Sequence, residues 1–287
     1  MIAQPPTRRT LGIATHVVLL GACVVLAGPF VWLVCAALKH NEDFFGSLFL
    51  PAGEGWLGVA WNRITFDHFL KLFGELGLGR SLLVSVFLSS LTAVLATLFA
   101  AMGGFALGRL EFRGRKMISR LVLAALIIPA PLLLAPTFQL LFHIGLLDTM
   151  AGLILPAAAP AFGLYLFRQA TQSSIPRDIL EAARIDGCSD VRSFFAIGLP
   201  LLMPMAAAFL MITFLGTWNN YIGPQVFFQT PEKFPLAVSV AQLRGTYYQD
   251  YGLLMAGTLV SVVPVLLLFL MLQREFVSGL TSGAVKG

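Results

Sequence analysis

The apolar positions of this chain fall into six runs, each about as long as a membrane span and separated from the next by polar segments. About 20 apolar residues are needed to cross roughly 30 Å of hydrocarbon. We therefore predict an all-α polytopic membrane protein with six transmembrane helices. These lie at 11–38, 81–107, 121–142, 151–167, 201–221 and 252–272. The last five make a core at 81–272, and a tail follows at 273–287.

Two of these runs carry residues with more than one interpretation. The third is interrupted by Pro129, Pro131 and Pro136, which suits either a helix that lines a pathway or a kinked scaffold helix. In the second, Gly104 and Gly108 form a small-xxx-small pair, typical of close helix packing and also found in dimer contacts. Between the first two runs, the loop 39–80 contains an amphipathic piece, 66–78. It predicts either a helix at the membrane interface or a loop helix packed on the neighbouring spans.

Composition supports a membrane protein, with 57% hydrophobic and 11% charged residues. The net charge of +5 gives little support to nucleic-acid binding, because the basic residues sit in short segments beside apolar runs. Cys23 and Cys35 would be about 18 Å apart on one helix, too far for a disulfide. The remaining Cys188 lies in a polar segment, and the four histidines are scattered, so no metal site is expected.

The basic residues also predict an orientation. They concentrate at 1–10, 109–120, 168–192 and the tail, whereas the 143–150 loop has no lysine or arginine. By the positive-inside rule, both termini are then cytoplasmic and 39–80 is periplasmic. The polar segment between the fourth and fifth spans is placed in the cytoplasm.

That segment, Ser173–Pro204, predicts a helix–turn–helix. Pro176 suits a first helical turn capped by Ser173 or Ser174, and Gly187 suits the stop. Ser189 can cap a second short helix. The first helix would carry an apolar stripe made of Ile179, Leu180, Ala182, Ala183 and Ile185.

The stretch Glu181-Ala182-Ala183, with Gly187 behind it and Leu199-Pro200 downstream, resembles the EAA loop of type I ABC importer permeases. The resemblance implies the type I ABC importer permease fold and a cytoplasmic coupling loop at 173–200 that docks into a groove on an ATP-hydrolysing subunit. It implies coupling roles for Glu181, Ala182, Ala183, Arg184, Asp186 and Gly187.

Three further stretches, at 80–86, 109–116 and 274–287, are similar to the carbohydrate branch of these permeases, the maltose type. The resemblance implies a bacterial inner-membrane subunit of a binding-protein-dependent sugar importer. Its partners would be a homologous second permease subunit, two ATP-binding cassette subunits and an extracytoplasmic solute-binding protein. The tail, at 279–287, would reach the interface between the ATPase subunits.

The sequence has no Walker A motif and no recognisable catalytic set. We therefore expect a chain that is not an enzyme and holds no cofactor, with ATP and Mg bound by the partner ATPase subunits. No Asp, Glu, Lys or Arg lies well inside a predicted span, which counts against a proton-coupled carrier. The alternative is a stand-alone secondary carrier or a channel for a small polar solute.

At the outer end of the fifth span, aromatic rings and side-chain amides occur together, at Trp218, Asn219, Asn220 and Tyr221. Rings can stack on the apolar faces of a sugar, and amides can bind its hydroxyls. The same residues suit an interfacial aromatic belt. The sequence leaves both interpretations open.

Overall fold

The structure is a computed structural model that describes residues 6–244 and 249–284. The described residues are helical, with two isolated β-bridges and no strand. Two units can be distinguished. One takes the described residues up to Leu78 together with those of Val240–Val262, and the other takes Gly79–Ser239 with those from Val263 onward.

The α-helices that precede the polar segment are α1 Pro6–Ala37, α2 Asp67–Gly74, α3 Leu78–Arg109, α4 Arg115–Ala125, α5 Leu134–His143, α6 Met150–Ala157 and α7 Ala161–Ser174. Those that follow are α8 Arg177–Ile185, α9 Asp190–Ser193, α10 Leu199–Trp218, α11 Ile222–Phe227, α12 Leu236–Gln242 and α13 Tyr251–Ala284. A π-helical stretch, Phe194–Gly198, joins α9 to α10.

Five stretches of the described chain are long and apolar enough to cross a membrane, and a sixth is a bent pair. The five are Thr15–Ala37, Leu78–Arg109, Met150–Ser174, Asp190–Trp218 and Tyr251–Met271. The bent pair, Arg115–Ala125 with Ala130–His143, turns by 100° where the third span was predicted. Pro129 caps the 3₁₀ turn at the break, and Pro131 lies inside that turn. Prolines there remove backbone donors, which explains why this span is not one straight helix.

The first unit is organised around the chain that follows α1. Lys39 is almost fully buried, and its Nζ donates a hydrogen bond to the carbonyl oxygen of Ser47 at 2.5 Å. His68 on α2 donates from Nε2 to the carbonyl oxygen of Lys39 at 2.8 Å. Leu72, one turn further along α2, is buried too, while Leu70 is exposed. The amphipathic piece predicted at 66–78 therefore packs one face within this unit.

In the second unit, the core lies where α3, α7 and α10 meet. Small residues allow close approach: a Cβ on Gly104 would lie 2.4 Å from the Cβ of Phe167, and one on Gly108 would lie 2.7 Å from a methyl of Thr171. The small-xxx-small pair thus serves packing within the chain. Aromatic rings fill the space beside it, with Phe167 and Phe209 edge to face at 5.5 Å.

The Asp148 carboxylate joins two loops of the second unit through a cluster of hydrogen bonds. The Asp148 carboxylate accepts hydrogen bonds from the backbone N–H of Gln229 and of Thr230, from the Thr230 hydroxyl and from the Lys233 ammonium. These donors stabilise the ionised form and hold the pKa of Asp148 well below its usual range. The residue has a left-handed backbone, φ 57°.

Several predicted boundaries differ from the helices found. The fourth predicted span, 151–167, is two helices, α6 and α7, and helix continues to Ser174. Helix also continues beyond the sixth predicted span, to Ala284. The predictions for the tail at 279–287 rest on side chains that lie outside the described residues.

Candidate functional site

The polar segment forms the predicted helix–turn–helix, α8 followed by α9. We call residues 175–195 the coupling module, after the role that the sequence resemblance implies for them. Pro176 is the N-cap of α8 rather than a first-turn residue, and Ser173 and Ser174 end α7 instead of capping α8. Ser189 caps α9 as predicted, because its hydroxyl accepts a hydrogen bond from the backbone N–H of Arg192 at 3.3 Å.

The turn of the module is built on Gly187. Its φ is +76°, a left-handed conformation that is costly for residues with a side chain. The N–H of Gly187 bonds to the carbonyl of Arg184, and the N–H of Cys188 bonds to the carbonyl of Ala183. These two bonds are the Schellman pattern, which satisfies the last carbonyls of α8 and reverses the chain. A surface ion pair at 3.3 Å, Arg184 with Asp190, spans the turn.

The apolar stripe predicted on α8 is wrong in part, because the helix divides it between two faces. Leu180 and Ala183 are buried, whereas Ile179, Ala182 and Ile185 are exposed. At about 100° per residue, Ile185 lies well away from Leu180 and Ala183 around the helix. One face of α8 is therefore anchored and another is free.

The anchored face joins the core of the second unit. Ile175, Leu180 and Phe194 belong to the same buried cluster as Phe105, whose ring meets that of Phe194 at 5.5 Å. Gly198 packs tightly here, because a Cβ at this position would lie 3.0 Å from the Phe105 ring, and the ring would have to move by a few tenths of an ångström.

Arg109, at the end of α3, clamps the entry to the module. Its Nε donates to the carbonyl oxygen of Ile175 and its Nη2 to that of Gln172, both at 2.7 Å. These carbonyls belong to the end of α7, where no further helical turn can satisfy them. The sequence analysis included Arg109 in the 109–116 stretch of family resemblance but did not predict this role. The one sequence signal for it is that an arginine stands at the end of a long apolar run.

The free face carries both charge and apolar surface. Glu181 lines a narrow charged groove with Arg109, Arg177 and Arg184. Within the described part of the chain, its carboxylate has no ion pair closer than 4.0 Å. Exposed apolar side chains surround the groove's helix: Ile185 is 87% exposed, and Ile179, Val191 and Phe195 are exposed as well.

The residues predicted to line a sugar path are placed in different surroundings. Trp218 is buried and stacks on Phe214 at 5.6 Å. Asn219 and Tyr221 are exposed. The Asn220 side-chain oxygen accepts a hydrogen bond from the N–H of Gly223, in the first turn of α11, at 3.1 Å. Of the four, Asn220 alone lines the polar cleft described next.

This polar cleft lies between α3, α6 and the end of α10. Five of its ten lining residues are apolar, and the other five bring hydroxyl or amide groups: Ser85, Ser89, Thr92, Thr217 and Asn220. The Ser89 hydroxyl is buried without a hydrogen-bond partner. The volume is about 50 Å³, enough for a few water molecules but far below the ~300 Å³ or more of ordinary ligand pockets. Sequence reasoning missed the α3 hydroxyls and gave them no role.

Comparison with known proteins gives one family and several relatives. The profile of the family "binding-protein-dependent transport system inner membrane component" matches residues 93–276. An arabinooligosaccharides transport permease, AraQ of Halalkalibacterium halodurans, is 39% identical over 79% of this chain and 81% of its own. The diacetylchitobiose uptake permease NgcG of Streptomyces coelicolor is 32% identical over 99% of this chain and 92% of its own.

Among solved structures, a chain of a bacterial ABC transporter that imports the acidic polysaccharide alginate has the same fold. The TM-score is 0.78 at 21% identity, covering 96% of this chain and 100% of that one. At this identity, the likeness concerns the fold alone.

Proposed function

The chain belongs to the family of binding-protein-dependent transport system inner membrane components, and we propose that it is a permease subunit of an ATP-driven oligosaccharide importer. Two relatives that match most of this chain are named for transport of oligosaccharides or of a disaccharide, which supports this substrate class. It would form half of the translocation pathway with a homologous permease subunit in a bacterial inner membrane. Two ATPase subunits would hydrolyse ATP and bind its Mg, and an external binding protein would deliver the sugar.

One observation carries the proposal: the coupling module is anchored on one face and free on the other. Leu180 and the Arg109 clamp tie it to the core, while Glu181 and Ile185 remain exposed. An exposed apolar side chain beside an unpaired charge is the surface expected of a specific protein contact. We propose that Glu181, Ala182, Ala183, Arg184, Asp186 and Gly187 form the contact with the ATPase subunit.

For the sugar itself, we propose Asn220 as the contact among the four aromatic and amide residues. Its amide faces the polar cleft, which widens when the ATPase subunits move the coupling module. Trp218, Asn219 and Tyr221 would act around it, Trp218 by holding the end of α10 through its stack on Phe214.

The experiment deletes the gene and measures uptake of radiolabelled arabino-oligosaccharides and diacetylchitobiose. The wild-type chain should restore uptake of at least one sugar. Glu181→Ala removes the unpaired carboxylate, and Gly187→Val forces a branched side chain into a left-handed conformation at a cost of about 1–2 kcal/mol or more. Both should abolish uptake while the protein still reaches the membrane.

Glu75→Ala is the matched control, because Glu75 is an exposed carboxylate at the end of α2. It should restore uptake fully. Normal uptake with both module variants would refute the coupling role. If an ion gradient drove sugar uptake into proteoliposomes that contain this chain alone, the importer would be refuted in favour of a secondary carrier.

A further inference from the structure

A cationic cleft lies beside the coupling module, on the part of the second unit where α4 packs against α7. We call it the basic cleft; it has a volume of about 460 Å³, and its lining residues are Arg115, Lys116, Ser119, Arg120, Leu123 and Arg168. Four of the six side chains are cations, one is a hydroxyl and none is a carboxylate. The transport mechanism proposed above gives this cleft no role.

The cations of the cleft have no acidic partner. In the part of the chain that the structure describes, no carboxylate lies within 4.0 Å of Arg115, Lys116, Arg120 or Arg168. The Nε of Arg168 is moreover buried without a hydrogen-bond acceptor. A buried donor without an acceptor costs about 1–3 kcal/mol, a cost that an acceptor on a bound anion would remove.

The backbone holds these groups in place. Gly114 turns the chain with φ +93° and begins α4, an 11-residue helix, without a side-chain cap. The N–H of Arg115 donates to the carbonyl of Phe112, whereas those of Lys116 and Met117 have no backbone acceptor among the described residues. Arg115 is fixed from behind, since its Nε and Nη2 donate to the carbonyls of Leu107 and Gly108, both at 2.9 Å. Free N–H groups and fixed cations together favour a phosphate.

The apolar neighbours of the cleft indicate what the phosphate belongs to. Leu123 lines the cleft, and Met117 and Leu121 are exposed one position beyond Lys116 and Arg120 on the same helix. Cations and apolar side chains thus run side by side along α4. A free phosphate would contact only the cations, whereas a phospholipid would contact the cations with its headgroup and the apolar side chains with an acyl chain.

We propose that the basic cleft binds the headgroup phosphate of an anionic phospholipid, with an acyl chain lying along Met117, Leu121 and Leu123. The cleft is at the end of α3 and α7 that also holds the coupling module, because Arg109 joins those helix ends. With the orientation that the basic residues predict, this is the cytoplasmic leaflet. Basic pockets between membrane helices on that side bind anionic headgroups.

The test uses the full-length chain in non-ionic detergent, titrated with dioleoyl phosphatidylglycerol or dioleoyl phosphatidylcholine and followed by native mass spectrometry. The wild type should prefer phosphatidylglycerol. Each cation near a headgroup changes the affinity by about fivefold, so Lys116→Gln with Arg120→Gln should weaken phosphatidylglycerol binding by roughly 25-fold. Binding of phosphatidylcholine should not change. Arg115 is left intact because it holds the end of α3.

Arg113→Gln is the matched control: Arg113 is an exposed arginine just before α4 that does not line the cleft. It should retain the wild-type preference. The charge-preserving pair Lys116→Arg with Arg120→Lys should also retain it, which separates lost charge from lost folding. An unchanged preference in the Gln pair, or an equal loss in Arg113→Gln, would overturn the proposal.

Two further outcomes would overturn it in favour of another occupant. One is displacement of phosphatidylglycerol by inorganic phosphate but not by chloride of equal ionic strength, which would make this a site for a free anion. The other is a Gln pair that keeps the lipid preference but binds the ATPase subunits more weakly, which would make it a protein contact. Neither result would bear on sugar uptake.

Discussion

Replacing Gly104 by alanine tests how closely α3 and α7 pack. The new Cβ would lie 2.4 Å from the Cβ of Phe167 and 2.7 Å from the backbone nitrogen of Arg168. Backbone atoms cannot rotate away, so the helices must separate by about 1 Å to reach the 3.4 Å at which ordinary contact begins. Overpacking of this kind costs about 1–3 kcal/mol.

Gly216→Ala is the control, because Gly216 is also inside a long helix but a Cβ there meets nothing within 4 Å. Both variants gain the same intrinsic helix preference of alanine, up to about 1 kcal/mol. Their difference in unfolding free energy therefore isolates the steric cost. We expect Gly216→Ala to exceed Gly104→Ala by about 1–3 kcal/mol.

Gly103→Ala should fall between the two. Its Cβ would lie 2.3 Å from a terminal methyl of Leu164, and the next atom is 3.8 Å away. A leucine methyl can move by a change of rotamer, so most of the clash can be relieved. Unfolding would be measured in mixed micelles by titration with sodium dodecyl sulfate, followed by circular dichroism. Equal stabilities of Gly104→Ala and Gly216→Ala would refute the close packing.

Three further predictions concern other contacts of the chain. Asp148→Asn removes the negative charge that joins the two loops and should lower the unfolding free energy by about 1–2 kcal/mol at pH 7. Because folding depresses the pKa of Asp148, the extra stability of the wild type is complete above pH ~4 and is lost as the pH falls. Unfolding free energies measured from pH 2 to 7 would reveal this dependence. Arg109→Lys keeps the charge but loses the two-pronged clamp, so limited trypsin digestion should cut faster at Arg177, and unchanged rates would contradict the clamp. Gly252→Ala puts a Cβ 2.2 Å from the His68 Nε2, which should break the hydrogen bond from His68 to the Lys39 carbonyl and lower the thermal midpoint of the purified chain. Gly74→Ala is the control and should leave the midpoint unchanged, because a Cβ there meets nothing within 4 Å.

Local signals in the sequence predicted the coupling module well where one residue decides the backbone. Gly187 adopts the left-handed conformation and Ser189 caps α9, as predicted. Both could be predicted because each residue determines the backbone only within three or four positions along the chain. Ser173 and Ser174 were assigned wrongly, since they suit a helix cap as well as the end of α7. The contact of α7 with the core decides between the two, and no local signal reports it.

The candidate site depends on contacts between distant parts of the chain, and these were the least predictable. The clamp of Arg109 joins residues 66 positions apart. The hydroxyls of α3 that line the polar cleft differ from those that pack only in which neighbour they face. Six apolar runs predicted the class of fold and three prolines predicted an interruption of the third run, but the angle of that bend, 100°, has no local signal in the sequence.

The Arg109 clamp also sets how motion can spread through the second unit. Arg109 ends the same helix that carries Thr92, about 25 Å away at 1.5 Å per residue. No break in α3 separates them, so the clamped residue and the hydroxyl beside the polar cleft belong to one continuous helix. A displacement of the coupling module would therefore reach the cleft through α3 without a hinge in between.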